Sequence, residues 1–479
     1  MVNKINIENG GIEETLEEVD LSKEPFDLIN SIIEKDIKDG FTSAQMAVIK
    51  DGKLVYQNAW GQINSYNQDG TRIKNGTKVT NNTLYDLASN TKMYSVAYGI
   101  QYLIDNKKIK LEDKIVDIIG QIFVDNTIEI KFSAFTGDYP GIEKIKEWKS
   151  QITIKDLLMH QAGFCDNGHY HNEKFDMVNL KINDDVDNVL YVENANKEKT
   201  LKEGICKTPL IYEPRTKTLY SDIDYMLLGI IIEKITGNDL NTFLKETFWA
   251  PMGLKHITYK PLENGFKKED CAATELNGNT RDGLIYFPNV RTETIQGEVH
   301  DEEAYHTMEG MSGHAGLFAN ATDLAKLASV MLTGTYGNKK YFSKETIDLF
   351  IKPQSNSSVN YGLGWWRKGD NNSFRCFGTK APVGIVGHQG WTGTLTMIDF
   401  ENNMVIVLLT NAVNTTISDK SSLDFVNDFI GKHYTTGKLG FAPEIIYTNL
   451  RKENLHKLTY WVINGIIIFK YWQMSVIQH

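Results

Sequence analysis

Four consecutive residues, Ser89-Asn90-Thr91-Lys92, constrain this chain most, because they open a stretch with strong helical periodicity. Met93, Val96, Ala97, Ile100, Leu103 and Ile104 recur at helical spacing, which predicts one amphipathic helix from about Ser89 to Asn106. Residues three apart share a helix face, so the Ser89 hydroxyl and the Lys92 amine are expected side by side at the helix start. The unpaired N–H groups there favour negative charge on or near the serine oxygen. A neighbouring amine in a partly desolvated site lowers the cost of removing the hydroxyl proton. Standing alone, such a pair is most often an N-capping serine followed by a solvated lysine. Its meaning depends on the rest of the chain.

Two further elements lie downstream. Tyr220-Ser221-Asp222 comes after the turn-like Glu213-Pro214-Arg215 and before an apolar helical run, Tyr225 to Ile235, stopped by Gly237. A tyrosine held near a lysine can take a proton from serine and return it to a leaving group. Asp222 could hold the lysine or meet a substrate amide; the plainer alternative is a buried phenol beside a helix-capping aspartate. His388-Gln389-Gly390 lies in a strand-like run, Val383 to Thr396, whose glycines at 384, 387, 390 and 393 allow another backbone or a ligand to approach closely. A strand beside the serine would offer a backbone N–H, that of Trp391, opposite the N–H of Ser89. Two such donors make an oxyanion hole.

Taken in order, these residues resemble the serine β-lactamase and penicillin-binding protein superfamily, in its class C-like branch of carboxypeptidases, esterases and β-lactamases. Ser89 to Lys92 matches its S-x-x-K motif, Tyr220-Ser221-Asp222 its Tyr-x-Asn, and His388-Gln389-Gly390 its Lys-Thr-Gly. Ile152 to Gly163, with His160-Gln161-Ala162-Gly163 at its end, is similar to the family segment ending His-Thr-Ser-Gly. Leu227-Leu228-Gly229 through Gly237, and Pro251-Met252-Gly253-Leu254, match the usual continuation. Val299-His300-Asp301-Glu302 and Gly313-His314-Ala315-Gly316-Leu317-Phe318 are similar to a signature of bacterial carboxypeptidase-like members. The match runs from about Phe41 to Asn414. Two positions depart from it: Asp222 stands for Asn, and a carboxylate cannot donate a hydrogen bond unless protonated. His388 stands for Lys, so a grip on a substrate carboxylate is expected to vary with pH.

The resemblance implies an α+β, β-lactamase/transpeptidase-like fold: an antiparallel sheet flanked by helices, a mainly helical subdomain, and the active site at their seam. Residues 25–105 and 342–435 are assigned to the sheet subdomain and 106–341 to the helical one. Residues 1–24 are assigned to an N-terminal lead-in, polar, acidic and expected to be loosely ordered over Met1 to Leu21, and 436–479 to a C-terminal extension. Locally, a helix is expected from Pro25 to Asp39. A hairpin pairs Ser43 to Lys50 with Lys53 to Trp60 around Asp51-Gly52, and a second pairs Thr394 to Phe400 with Met404 to Thr410.

A net charge of −10 without a basic run argues against a nucleic-acid surface. The four cysteines, Cys165, Cys206, Cys271 and Cys376, lack paired spacing and are expected as free thiols. Cys165 with Asp166, His169 and His171 could attract zinc, but a polar loop near the groove is the plainer reading; His300, His306 and His314 are read as site-rim residues. No metal or organic cofactor is expected. Met1 to Gly10 shows no basic-then-apolar leader, so a cell-envelope location would follow from the family role alone. Leu458 to Phe469 is apolar and ringed by aromatics, too short to span a bilayer; it reads as a packed helix or an interfacial, membrane-surface anchor.

The expected function is a serine acyl-enzyme hydrolase with Ser89 as nucleophile, assisted by Lys92 and Tyr220. Asp222, His388, Gly390, Trp391, His160, Gln161 and His314 are expected to border or bind substrate. By resemblance the substrate is a cell-wall peptide ending in D-Ala-D-Ala, with penicillin as covalent inhibitor. A β-lactam or small-ester hydrolase on the same site is the alternative, and a non-catalytic cell-wall-peptide sensor is the alternative of another class.

Overall fold

The computed structural model describes residues 13–135, 137–354, 361–369, 374–417 and 434–450. Its frame is one six-stranded antiparallel sheet. Helix α1 (Glu24–Asp39) leads into β1 (Ser43–Lys50) and β2 (Lys53–Gly61). Far along the chain come β3 (Trp366–Arg367), β4 (Val386–Gly390), β5 (Thr394–Asp399) and β6 (Met404–Thr410). The spatial order is β3-β4-β5-β6-β1-β2, with every neighbouring pair antiparallel. Both expected hairpins are present. Asp51 and Gly52 both have positive φ, 50° and 75°, as a two-residue turn matched to strand twist requires.

Alternate residues on the central strands serve two cores, because successive side chains leave opposite faces of a pleated strand. Ala47, Ile49, Val405, Val407 and Leu409 join the front core, built with the helices. Met46, Val48, Ile406 and Leu408 face a rear core with Phe26, Ile29 and Ile33 of α1 and with Leu439, Ala442 and Ile446. Coverage on both faces explains why Met404–Thr410 reads as an almost unbroken apolar run rather than an alternating one.

Two expectations give way here. Leu16, Val19 and Leu21 are buried in the rear core, so the described part of the lead-in is packed rather than loose: its few apolar residues find the sheet's back face. The helix Ala321–Thr333, from the range assigned to the helical subdomain, packs on β1, β5 and β6, with its Ala321 N–H donating to Gln45 Oε1 at 2.9 Å. The apolar segment Leu458 to Phe469 lies outside the described residues. Among those described, no helix is long and apolar enough to cross a membrane.

Candidate active site

Between the front core and the sheet, the chain leaves the short strand Tyr85–Asp86 through a tight reversal. Ala88 takes φ 44°, a left-handed conformation that costs a non-glycine residue energy. Asp86 stabilises this bend: its Oδ1 accepts the Ala88 N–H at 2.8 Å, and its Oδ2 the His300 N–H at 2.6 Å. Burial pushes the Asp86 carboxyl up despite those donors. A 3₁₀ turn, Ala88–Asn90, then passes into a wide π turn, Lys92–Ala97, before regular helix Tyr98–Asp105. The single expected helix is therefore three kinds of turn in succession. π turns gather at functional sites, where they re-aim a side chain.

The nucleophile turn is stapled to the sheet. Asn90 donates to Thr394 Oγ1 at 3.0 Å and accepts from Thr396 Oγ1 at 2.7 Å, while Thr394 Oγ1 donates to the Leu87 carbonyl at 2.9 Å. Gly390 sits where the two segments meet, and any Cβ there would be driven into the Leu87 carbonyl and the Thr394 hydroxyl. That close approach is the physical reason for glycine in the third motif.

Lys92, fully buried, is ringed by oxygens. Its Nζ lies 3.1 Å from Ser89 Oγ, 3.2 Å from the His314 carbonyl and 2.8 Å from Asp222 Oδ1. It also lies over the Tyr220 ring, 4.8 Å from the centroid, and Tyr220 and Ser89 border the same cavity. Burial pulls the Lys92 ammonium down, but Asp222 and then Tyr220 outweigh it and hold its pKa above the ordinary range. Burial raises the Tyr220 phenol, only partly offset by Lys92. The three residues read as catalytic thus converge in one place.

Tyr220 is held from behind. Leu219 N–H donates to the His160 carbonyl at 2.9 Å, Asp222 N–H to the Asp166 carbonyl at 2.8 Å, and Ser221 Oγ to the Cys165 carbonyl at 2.6 Å. The buried His160 ring packs 4.6 Å from that of Tyr220. Its Nδ1 lies 3.0 Å from Asp224 Oδ2 and accepts the Ser221 N–H at 3.1 Å. Neither His160 nor Gln161 lines the cavity. Gln161 Nε2 donates to Thr218 Oγ1 at 3.0 Å, so this pair supports the tyrosine segment from behind.

Two lobes meet at Ser89, Tyr220 and Trp391, whose side chain is 46% exposed. One, about 350 Å³, is polar: Asp222, Asn279, His300, Asp301, Glu302 and His314 line it. Its acids are compensated: Asp222 by Lys92 at 2.8 Å, Asp301 by His314 at 2.9 Å, and Glu302 by Arg291 at 2.9 Å. Burial lowers the His314 imidazole, yet Asp301 more than reverses this, and the pair is an ion pair. Asp222, Asp301 and His314 bring ligand atoms within 4.8 Å of one another, and the cation seated at Asp222 is the Lys92 ammonium.

Aromatic rings dominate the other lobe, about 400 Å³, lined by Tyr361, Trp366, His388 to Trp391, Gly437 and Leu439. Trp366 stacks on Phe374 at 4.4 Å and lies 4.2 Å from the His388 ring. The expected pH-dependent charge on His388 is corrected here. Burial, then the Lys92 charge, pushes its imidazole down to about 3, so it stays neutral, with Nδ1 donating to the Gln389 carbonyl at 2.6 Å. Sequence reasoning missed Tyr361 and Trp366, although glycines and aromatics alternating over Tyr361 to Trp366 signal close packing. The loop cysteine and histidines do not converge: Cys165 donates to the Asn167 carbonyl, His169 stacks on Phe175, and His171 pairs with Glu303. All four cysteines are free and buried.

The Beta-lactamase family model matches residues 29–427. The chain belongs to the β-lactamase family. This β-lactamase-family chain is 39% identical over 423 residues to the Escherichia coli K12 protein named "Putative D-alanyl-D-alanine carboxypeptidase", covering 88% of this chain and 89% of that one. It is 38% identical over 420 residues to the "N-acetylmuramyl-L-alanine amidase" of Bacillus subtilis, covering 88% of each. Its fold is similar to that of EstCE1, a hydrolase with promiscuous acyltransferase activity (TM-score 0.59, 17% identity, 88% of this chain and 98% of that one). A penicillin-binding protein homologue from Caulobacter crescentus is similar too (TM-score 0.57, 16% identity, 88% and 97%). This β-lactamase-family protein is a serine hydrolase.

Proposed function

We propose that this protein cleaves an amide bond in cell-wall peptide through an acyl-enzyme on Ser89. The observation that carries the reading is the convergence of Ser89, Lys92 and Tyr220 where the two lobes join. Ser89 Oγ attacks the carbonyl carbon, and the backbone N–H groups of Ser89 and Trp391 receive the oxyanion. Tyr220 passes a proton to the leaving amine, and water then releases the acyl group by the same path in reverse. D-Ala-D-Ala carboxypeptidase activity is the form supported by the name of the Escherichia coli relative. In that form penicillin acylates Ser89.

One feature favours a second form. A terminal carboxylate calls for a cation, yet no lysine or arginine is among the described residues lining the aromatic lobe, and His388 is neutral. A substrate without a carboxylate beside the scissile bond fits that lobe, as in the amide named for the Bacillus subtilis relative. Intact-mass spectrometry on the wild type and Ser89→Ala separates these forms. The panel is a D-Ala-D-Ala peptide, its C-terminal amide, an N-acetylmuramyl-L-alanyl peptide, penicillin and a short ester. The expected result is an acyl adduct on the wild type that Ser89→Ala lacks, with product release identifying the preferred amide. An adduct that persists in Ser89→Ala refutes the reading.

A further inference from the structure

A serine nucleophile needs somewhere to send its proton, and the two obvious receivers here are occupied. An amine accepts a proton only through a free lone pair, whereas an ammonium has three N–H donors and none. Around Lys92 Nζ stand Ser89 Oγ at 3.1 Å, the His314 carbonyl at 3.2 Å and Asp222 Oδ1 at 2.8 Å. The carbonyl and the carboxylate can only accept, and the carboxylate is the shortest contact of the three. That is the setting of an ammonium, not of a free amine. Tyr220 is in turn a neutral phenol, since its burial outweighs the nearby Lys92 charge. Neither group is a ready base.

Asp222 is the remaining acceptor, and it is the position where the chain departs from the family's asparagine. It opens the helix Asp222–Thr236, is partly exposed to the polar lobe, and touches Lys92 directly. We propose that Asp222 is the terminal acceptor of the Ser89 proton, reached through Lys92. This rests on the acyl-enzyme reading of Ser89.

The step balances. As Ser89 Oγ bonds to the carbonyl carbon, its proton passes to Lys92 Nζ while Lys92 gives the proton it shares with Asp222 to that carboxylate. Lys92 stays an ammonium, Asp222 becomes a carboxylic acid, and the negative charge moves to the carbonyl oxygen. When the intermediate collapses, the C=O re-forms, the C–N bond breaks, and the amine takes a proton through Tyr220 and Lys92 that Asp222 replaces. Asp222 is then a carboxylate again, ready to receive the proton of the deacylating water. An asparagine at 222 could hold Lys92 but could not take the proton.

Lys92, Tyr220, Asp166, Asp224, Asp301 and His314 are the charged or titratable groups facing Asp222. The carboxylates among them oppose further negative charge near Asp222, and Lys92 and the His314 imidazolium offset this.

The test is hydrolysis of p-nitrophenyl acetate by the full chain from pH 5 to 9, comparing wild type, Asp222→Asn, Asp222→Glu and Ser89→Ala. Asp222→Asn is expected to lower kcat about 100-fold at pH 7, the scale of a lost proton acceptor, with KM nearly unchanged. Its rate should keep climbing toward pH 9, because Lys92 must then lose its own proton. Asp222→Glu keeps the wild-type profile shape even at reduced rate. A wild-type rate and profile in Asp222→Asn, or a uniform loss that leaves the shape of the profile unchanged, overturns the proposal. Turnover by Ser89→Ala would instead overturn the acyl-enzyme reading itself, so the two failures are distinguishable.

Discussion

At the scale of the residue, His388 behaves unlike a free imidazole because of what encloses it. Its Nδ1 proton is committed to the Gln389 carbonyl, Trp366 covers the ring, and both burial and the Lys92 charge oppose a second proton. With its value held near 3, the ring protonates only far below neutrality. Its contribution to substrate binding should therefore be constant where an ordinary histidine changes charge. The KM for a D-Ala-D-Ala peptide is expected to stay flat between about pH 5 and 8; a KM that climbs as pH rises through the usual histidine range would show a charged ring. The convergence of Ser89, Lys92 and Tyr220 was legible in the sequence, because a three-residue spacing keeps the first pair on one side of a turn and motif order supplied the third. His160 was not: its seat behind Tyr220 depends on its own positive φ of 53° and on Asp224, 64 positions along the chain.

At the scale of the element, what local chemistry decides was readable and what crossing geometry decides was not. Asp51-Gly52 announces its turn by residue type alone. The π turn at Lys92–Ala97 does not, since its apolar positions fit ordinary helical spacing equally well. The crossing of Asp222–Thr236 with the loop before His314 is similar: Gly229 and Gly313 pack backbone to backbone, a contact between distant stretches. A Cβ at Gly313 would collide with the Tyr225 carbonyl and lie 2.8 Å from Val96 Cγ2. Gly313→Ala is expected to destabilise the fold by about 1–3 kcal/mol, the cost of overpacking, read as a lower urea midpoint. Because the next residue's carbonyl holds Lys92, kcat should fall as well. A variant with unchanged midpoint and kcat would show that the loop yields freely.

At the scale of the molecule, the rear layer and the cavity are one construction. Asp36 Oδ2, buried on α1, accepts both the N–H and the hydroxyl of Thr436 at 2.7 Å. Just beyond it Gly437 and Leu439 line the aromatic lobe, and Tyr447 donates to Asp399 Oδ2 at 2.7 Å. Burial of Leu439, Ala442 and Ile446 carries the rear core across the boundary expected at 436. Asp36→Ala strands two donors and is expected to cost about 2 kcal/mol, measured by chemical denaturation, and to raise KM. Normal KM with lowered stability would show that the lobe does not depend on this clasp. The strip at 436–439 is a strap for the back of the sheet and a wall of the aromatic lobe at once. A load on the helical segment that ends at Leu450 is therefore delivered to the wall of the aromatic lobe, some four hundred positions from the helix that anchors it.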